Sequence, residues 1–189
     1  LLYRLSYGRI FVVYSKLSYF MQKINLKNQY ILILPNIRSA QNVGSMFRTA
    51  DAVGINEIYL VGYTPTPIDK FGRKRSDISK ASLGAEDTIK WQYRKTLPPL
   101  LKKLKKEGYI IVAIEQSSNS INYNKVSTQG GPASGWKKMA FVMGNEVDGL
   151  PESILKICDV VAEIPMKGMK ESLNVSVACG VALFGIIRD

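Results

Sequence analysis

A short apolar run, Tyr30-Ile31-Leu32-Ile33-Leu34, ends at Pro35 and leads into a polar turn over residues 36–41. A run of this length that is bounded by a turn is typical of a buried strand. The apolar positions of residues 42–53 then recur at helical spacing, at Val43, Met46, Phe47, Ala50 and Val53. Gly54 is a natural end for that helix. This strand–turn–helix unit favours an α/β fold.

The rest of the chain repeats the alternation. We predict strands over residues 57–61, 88–93, 109–114, 139–143 and 160–164, and helices over residues 96–107, 151–158 and 173–188. Thr96 is the predicted N-cap of the first of these helices. Residues 64–76 and 117–138 are predicted to be long loops. Strands that alternate with helices indicate a mostly parallel sheet with helices on both faces, which binds ligands beyond the carboxyl ends of its strands.

The composition removes several kinds of chemistry. The 189 residues include no histidine and only two cysteines, Cys158 and Cys179. An imidazole base is therefore excluded, no metal site is expected, and a disulfide framework is disfavoured. Few cysteines favour a reducing compartment, so we expect a cytoplasmic protein. The uncharged run 173–187 is too short and too polar to span a bilayer, and it predicts a buried helix.

The positive charge of the chain is concentrated in one segment. The formal net charge is +11, and the twelve basic and three acidic residues between positions 70 and 106 give that segment +9. Clustered Lys and Arg side chains neutralise phosphates and steer polyanions. This segment is therefore a candidate contact for nucleic acid, and a solvated basic face without a specific ligand is the alternative.

Three loops at predicted carboxyl ends of strands carry polar residues suited to a ligand. The first includes Asn36, Arg38 and Asn42, with Arg48 further along the helix, and can bind phosphate and ribose hydroxyls. The second, over residues 144–151, has two glycines that let the backbone approach a ligand. The third, over residues 164–176, has polar side chains before the last helix. Helix capping and a surface arginine are the alternatives for each loop taken alone.

Together these loops resemble the three motifs of the SpoU/TrmH-like RNA ribose 2′-O-methyltransferases of the SPOUT superfamily. The matching segments are NIRSAQNVGSMFRTA at 36–50, FVMGNEVDGL at 141–150 and IPMKGMKESLNVSVA at 164–178. The resemblance covers residues 29–189. It implies a SPOUT-type α/β fold with a C-terminal deep trefoil knot and a homodimer whose active site lies near the subunit interface. It also implies methyl transfer from S-adenosylmethionine (SAM) to a ribose 2′-hydroxyl of tRNA or rRNA.

The resemblance also assigns site residues. The implied cofactor contacts are Gln116, Gly144, Ile164, Met166 and Leu173, and the implied catalytic positions are Asn42, Arg48, Glu146, Ser172 and Asn174. The implied RNA contacts are Arg38, Arg73, Lys74 and Arg75. The base proposed for the family falls on Arg48, but the very high pKa of arginine fits better with orienting the ribose-phosphate than with accepting a proton.

The organisation implied is a single SPOUT methyltransferase domain over residues 21–189. Residues 1–20, which have four tyrosines and no acidic residue, are expected to be a leader or an N-terminal arm. Two other functions stay open at this point. One is a catalytically silent RNA-binding protein with the same knotted fold, and the other is a small-molecule enzyme of flavodoxin-like shape.

Overall fold

The computed structural model describes residues 28–126 and 137–187, so the expected leader lies outside the described residues. Its strands are β1 (Gln29–Pro35), β2 (Glu57–Val61), β3 (Lys90–Arg94), β4 (Ile110–Ile114), β5 (Ile121–Asn122), β6 (Lys138–Met143) and β7 (Val160–Glu163). They form one seven-stranded sheet in the order β3-β2-β1-β6-β4-β7-β5, and every pairing between these strands is parallel. The predicted parallel sheet is confirmed.

Helices cover both faces of this sheet, also as predicted. They are α1 (Ala40–Val53), α2 (Ser76–Ser82), α3 (Ala85–Thr88), α4 (Leu97–Lys106), α5 (Tyr123–Val126), α6 (Glu152–Leu155) and α7 (Val175–Ile186). Alternate side chains of β1 point to opposite faces. Leu32 and Leu34 join the core that includes α1 and α7, whereas Ile31 and Ile33 join the core that includes α4 and α6.

The first strand–turn–helix unit forms as its sequence indicates. The Ser39 hydroxyl caps α1 by accepting a hydrogen bond from the Asn42 N–H at 3.2 Å. Gly54 ends the helix with a φ of +82°, and its N–H donates to the carbonyl groups of Ala50 and Asp51. Both ends of α1 are therefore fixed by hydrogen bonds, and the Ser39 cap also fixes the turn between β1 and α1.

One of the two connections predicted as loops contains further elements, and the other is followed by them. Residues 64–75 form no helix or strand, as predicted, and lead into α2 and α3. The 117–138 segment contains β5 and α5, with residues 127–136 outside the described part. These elements are too short and too polar to give a periodic signal: only Ile78 and Ser82 of α2 are buried. They form because tertiary packing stabilises these short elements, which their local sequence propensity alone would not stabilise.

Thr96 occupies the N-cap position of α4, as predicted, but its hydroxyl accepts no capping hydrogen bond. An N-cap side chain accepts from the N–H of the second or third helical residue, and in α4 those residues are Pro98 and Pro99, which have no N–H.

The last helix is shorter and less buried than predicted. It begins at Val175 because Asn174 caps it. Cys179, Ala182 and Leu183 are fully buried, but Val177 and Phe184 are 51% and 56% exposed. The apolar composition of α7 thus reflects two faces, of which one covers the core and the other is uncovered in a single chain. In the described part of the chain, no helix combines the length and apolar character needed to cross a membrane.

Gly44 gives a test of the packing between α1 and α2. A Cβ atom on Gly44 would lie 2.5 Å from the Ile78 carbonyl oxygen and 2.8 Å from the Ala81 Cβ. We expect Gly44→Ala to lower the free energy of unfolding by about 1–3 kcal/mol, because the two helices must separate. Urea unfolding followed by circular dichroism measures this change.

The matched control is Gly180→Ala in α7, where the added Cβ meets its nearest neighbour, Thr49 Cγ2, at 3.9 Å. That variant should be neutral or more stable by up to about 1 kcal/mol, because alanine favours the helix. Wild-type stability of Gly44→Ala would show that the close approach of α2 is not required.

Candidate functional site

A cleft of about 430 Å³ opens at the carboxyl ends of β4, β6 and β7. It is lined by Ile114, Glu115, Gln116, Met143, Gly144, Asn145, Glu146, Ile164, Met166, Ser172, Leu173, Asn174, Val175 and Ala178. The loops that follow these three strands converge here because all of the strands are parallel and end at one edge. The site lies where the sheet topology predicts a ligand.

All five residues expected to contact a cofactor lie in the lining of this cleft. Gln116 comes from the loop after β4, Gly144 from the loop after β6, and the other three, Ile164, Met166 and Leu173, from the loop after β7. The Gln116 Nε2 donates to the Glu171 carbonyl at 2.7 Å and so joins two of these loops. The prediction of which residues surround the cleft agrees with the geometry, and their ligand contacts stay a prediction.

Glu115 shapes the loop after β6. Its carboxylate accepts hydrogen bonds from the N–H groups of Leu150 and Gln116, each at 2.9 Å. A Cβ on Gly144 or Gly149 would lie within 2.0 or 2.5 Å of Glu115 Oε2. Both glycines are therefore needed for the carboxylate to lie against the loop. The sequence carries no pattern that predicts this contact between Glu115 and the two glycines.

A hydrogen-bonded chain connects the three predicted motifs. The Glu146 carboxylate accepts from the Asn42 Nδ2 at 3.0 Å and from the N–H groups of Arg38 at 3.1 Å and Ser39 at 3.4 Å. The Asn174 Nδ2 donates to the Asn42 Oδ1 at 3.2 Å. Asn42 is thus held from both ends of its amide, and three segments that are distant in sequence form one polar group beside the cleft.

The environment of Glu146 keeps it ionised. Partial burial alone would raise the pKa of this carboxyl, but the hydrogen bonds from Asn42 and from the Arg38 and Ser39 backbone outweigh it and hold the pKa below its ordinary value. A carboxylate that already accepts three N–H groups is a weak proton acceptor. Glu146 is therefore suited to fixing the Asn42 amide and the start of α1 rather than to acting as a base.

Asn174 and Ser172 differ in their surroundings. The Asn174 Oδ1 accepts from the Ser176 N–H at 2.9 Å and the Ser176 hydroxyl at 2.6 Å, so Asn174 caps α7 while its amide nitrogen contacts Asn42. The capping interpretation is confirmed for this residue, and its catalytic role stays a prediction. Ser172 lines the cleft, and its hydroxyl has no hydrogen-bond partner among the residues that the structure describes.

Arg48 lies on the exposed surface of α1, outside the lining of the cleft. Its guanidinium makes no hydrogen bond or ion pair within residues 28–126 and 137–187. A single chain therefore does not bring Arg48 together with the other predicted catalytic residues.

The basic residues expected to contact RNA have partners within the chain. Three ion pairs join Arg73 to Asp69 at 2.8 Å, Lys74 to Asp87 at 2.6 Å and Arg75 to Asp77 at 2.6 Å. Arg38 differs, since its backbone N–H contacts Glu146 while its side chain is exposed. The positive segment is thus partly neutralised by its own carboxylates, a pairing that the charge count along the sequence does not reveal.

The cysteines do not supply a nucleophile. Burial raises the pKa of the Cys158 thiol to about 11 and that of the Cys179 thiol to about 12. Both are therefore protonated at neutral pH. The described ranges contain no group of three or more Cys, Asp or Glu residues arranged to hold a metal ion.

Comparison with known proteins adds a family to this geometry. Residues 29–184 match the SpoU rRNA Methylase family. The chain is 35% identical over 153 residues to the 23S rRNA (guanosine-2'-O-)-methyltransferase RlmB of Neisseria meningitidis serogroup B. The aligned region covers 81% of this chain and 56% of that relative. The chain therefore spans little more than half the length of the curated relatives it matches.

Two solved structures are similar over most of the described residues. The AdoMet-bound rRNA methyltransferase from Sinorhizobium meliloti has a TM-score of 0.72 and 28% identity, covering 85% of this chain and 56% of that one. The TrmH/SpoU tRNA modifying enzyme of A. aeolicus has a TM-score of 0.69 and 28% identity, covering 85% and 76%. With the family match spanning nearly all of the sheet and all three loops around the cleft, the chain belongs to the SpoU rRNA methylase family, as its motifs predicted.

Proposed function

We propose that this chain transfers a methyl group from SAM to a ribose 2′-hydroxyl of RNA. The observation that carries the proposal is the hydrogen-bonded chain Glu146–Asn42–Asn174, which joins the three family motifs beside one cleft. The names of the relatives support it, since one is a guanosine 2'-O-methyltransferase of 23S rRNA and another is an rRNA methyltransferase bound to AdoMet.

The cleft suits a nucleoside-sized ligand such as SAM. Its volume of about 430 Å³ lies within the range of small-molecule sites. Ile164, Met166 and Leu173 supply apolar surface, while Gln116 and the backbone at Gly144 supply hydrogen-bonding groups. When bound, SAM supplies a methyl group that is already activated on a sulfonium. Methyl transfer therefore requires neither a metal ion nor a histidine from the chain.

The residues beside the cleft would place the hydroxyl and its phosphate. Asn42 is oriented by Glu146 and Asn174, and the Ser172 hydroxyl is free to bind the ribose. Arg48 would bind the phosphate next to the target ribose with its planar fork of donors. Since the Glu146 pKa is lowered, we assign most of the rate to positioning of the 2′-hydroxyl rather than to a strong base.

We further propose that the protein is a homodimer formed through α7. Val177, Val181 and Phe184 are exposed at helical spacing and form one apolar stripe on this helix. A two-fold axis would cover the stripe with its own copy. Since α1 packs against α7, Arg48 would then approach the interface and could reach the partner's cleft, which explains why it does not line its own.

Three finer expectations stay proposals. The deep trefoil knot is supported by the loops after β6 and β7, which line one cleft, and by the similar folds of solved family members. A cytoplasmic location is consistent with the two free cysteines and with an RNA substrate. A single domain over residues 21–189 is consistent with the one sheet that the described strands form.

Arg48→Ala tests the function directly. It should lower the incorporation of labelled methyl groups from SAM into unmodified bulk RNA by about 100-fold or more, because an oriented charge at the reacting group is lost. Affinity for SAM, measured by calorimetry, should change by less than about twofold, since Arg48 is assigned to the RNA phosphate and not to the cofactor.

Arg48→Lys is the matched variant, because it keeps the charge and loses the planar fork of donors. Its methyl incorporation should lie between those of the wild type and Arg48→Ala. Full turnover by Arg48→Ala would remove Arg48 from the site. If the wild-type protein binds both SAM and RNA and transfers no methyl group, the chain is instead a silent RNA-binding protein.

Glu146→Gln tests the positioning role of the carboxylate. At pH 7 it should lower the free energy of unfolding by about 1 kcal/mol, a small value because the side chain is largely exposed. The pKa of Glu146 is lowered in the folded protein, so its stabilising contribution is complete above its ordinary value of 4.5 and is lost as the pH falls through the lowered value. The difference between wild type and variant should therefore shrink below pH 4.5 in urea unfolding.

Glu152→Gln is the control, since Glu152 is exposed and its pairing with Lys156 is long, at 4.0 Å. It should leave stability unchanged at every pH. A difference for Glu146→Gln that stays constant from neutral to acidic pH would contradict the assignment of an ionised carboxylate.

Phe184→Lys tests the dimer. Sedimentation of the wild-type chain should give twice its monomer mass of 21.1 kDa. The variant should give the monomer mass, because burying a charge at the centre of an apolar interface destabilises the dimer. Leu83→Lys changes an equally exposed apolar residue, 67% exposed, on another surface and should remain dimeric. A monomeric wild-type protein in analytical ultracentrifugation would refute the dimer.

A further inference from the structure

A tight turn lies between β2 and α2, beside the start of β3. Its arms are joined by a bridge between Ile68 and Lys74, and the Asp69 N–H donates to the Arg73 carbonyl at 2.9 Å. The Gly72 N–H donates to the Asp69 carbonyl at 3.0 Å, with Gly72 at a φ of +79°. The turn therefore has a fixed backbone although it lies within a long basic connection.

Asp69 organises the tip of this turn. Its Oδ1 accepts the N–H groups of Phe71 at 2.8 Å and Arg73 at 2.9 Å, and its Oδ2 accepts the Arg73 Nε at 2.9 Å. The result is that Phe71 is held at the apex with 69% of its surface exposed. A single exposed aromatic side chain is common on protein surfaces. The backbone that carries Phe71, however, is fixed by Asp69, and two cations flank the ring.

Two positive groups lie against the Phe71 ring. The Lys70 Nζ and the Arg73 guanidinium carbon are each 5.0 Å from the ring centroid. Arg73 is braced by its ion pair with Asp69, whereas Lys70 has no other polar contact within the described ranges. An aromatic face beside a movable cation is the arrangement that binds a base together with its phosphate.

We propose that Phe71 is a stacking platform for an unpaired base of the RNA substrate, with Lys70 released from the ring to bind the adjoining phosphate. This inference rests on the proposed function. Stacking of a base on an aromatic ring contributes about 5- to 100-fold in affinity. An exposed cation–π contact contributes about two- to fivefold, so the base displaces Lys70 from the ring.

The turn lies beside the edge strand β3. Its arms, at Ile68 and Lys74, line one pocket with Ile89 and Lys90, where β3 begins. The cleft lies at the carboxyl ends of the strands, and β2 and β1 separate β3 from β6. RNA whose ribose enters the cleft would therefore reach Phe71 through a segment beyond the nucleotides next to the target.

The ion pairs at the base of the turn assign a different task to its other cations. Lys74 and Arg75 are bound to Asp87 and Asp77, which belong to α3 and α2. They anchor the turn to these helices, and both ion pairs would have to break before Lys74 or Arg75 could bind a phosphate. Affinity from this segment therefore comes mainly from Phe71 and Lys70.

The test compares RNA forms and Phe71 variants in the full-length chain. Poly(U) is a single strand with accessible bases, whereas a poly(A)·poly(U) duplex has its bases already stacked and paired. Phe71→Ala should weaken poly(U) binding by about 5-fold or more and leave duplex binding unchanged. Phe71→Tyr should restore the affinity and Phe71→Leu should not, because stacking needs an aromatic face. Leu83→Ala, at another exposed apolar residue, should bind both RNAs like wild type.

Equal binding of poly(U) by wild type and Phe71→Ala overturns the inference, and so does rescue by leucine or an equal loss for the duplex. Titration with SAM shows that each variant is folded. Methyl transfer by the wild-type protein is scored separately: a protein that transfers no methyl group but shows the expected variant pattern refutes the proposed function and leaves the stacking platform intact.

Discussion

The hydrogen bond from the Asn42 amide to the Glu146 carboxylate, at 3.0 Å, is the contact on which the site depends. A parallel sheet brings the loops after its strands to one edge, but it does not fix how the loops lie relative to one another. The two residues are 104 positions apart, and Asn174, which contacts the other end of the Asn42 amide, is 132 positions from Asn42. These bonds convert three neighbouring loops into one site.

A second carboxylate, that of Glu115, fixes the loop after β6 at the same site. Glu115 lies against Gly144 and Gly149 and accepts the N–H of Leu150, so the loop after β6 is held on both sides, by Glu115 and by Glu146. Neither carboxylate needs to exchange a proton for this task. In a chain with no histidine, the proposed methyl transfer would then depend on a preorganised polar frame around an activated methyl donor.

Much of this arrangement follows from the sequence. The apolar runs predict the strands, the 3.6-residue period predicts α1, and the three motifs identify the residues around the cleft. Other features depend on contacts that the sequence does not specify. The partners of Arg73, Lys74 and Arg75 become neighbours only after folding, and Arg48 lies outside the cleft because of the direction it takes from α1. The sequence predicts that all of α7 is buried, because hydropathy does not distinguish an apolar face in the core from one that stays exposed. The missing side-chain hydrogen bond at Thr96 could have been recognised from Pro98 and Pro99.

The most direct measurement of the central claim is mass spectrometry of nucleosides from RNA treated with the protein and SAM carrying a deuterated methyl group. Ribose methylation by this chain predicts that the label appears on 2′-O-methylated ribose and on no base. A label on a nucleobase, or RNA that stays unlabelled across tRNA and rRNA substrates, would contradict this function.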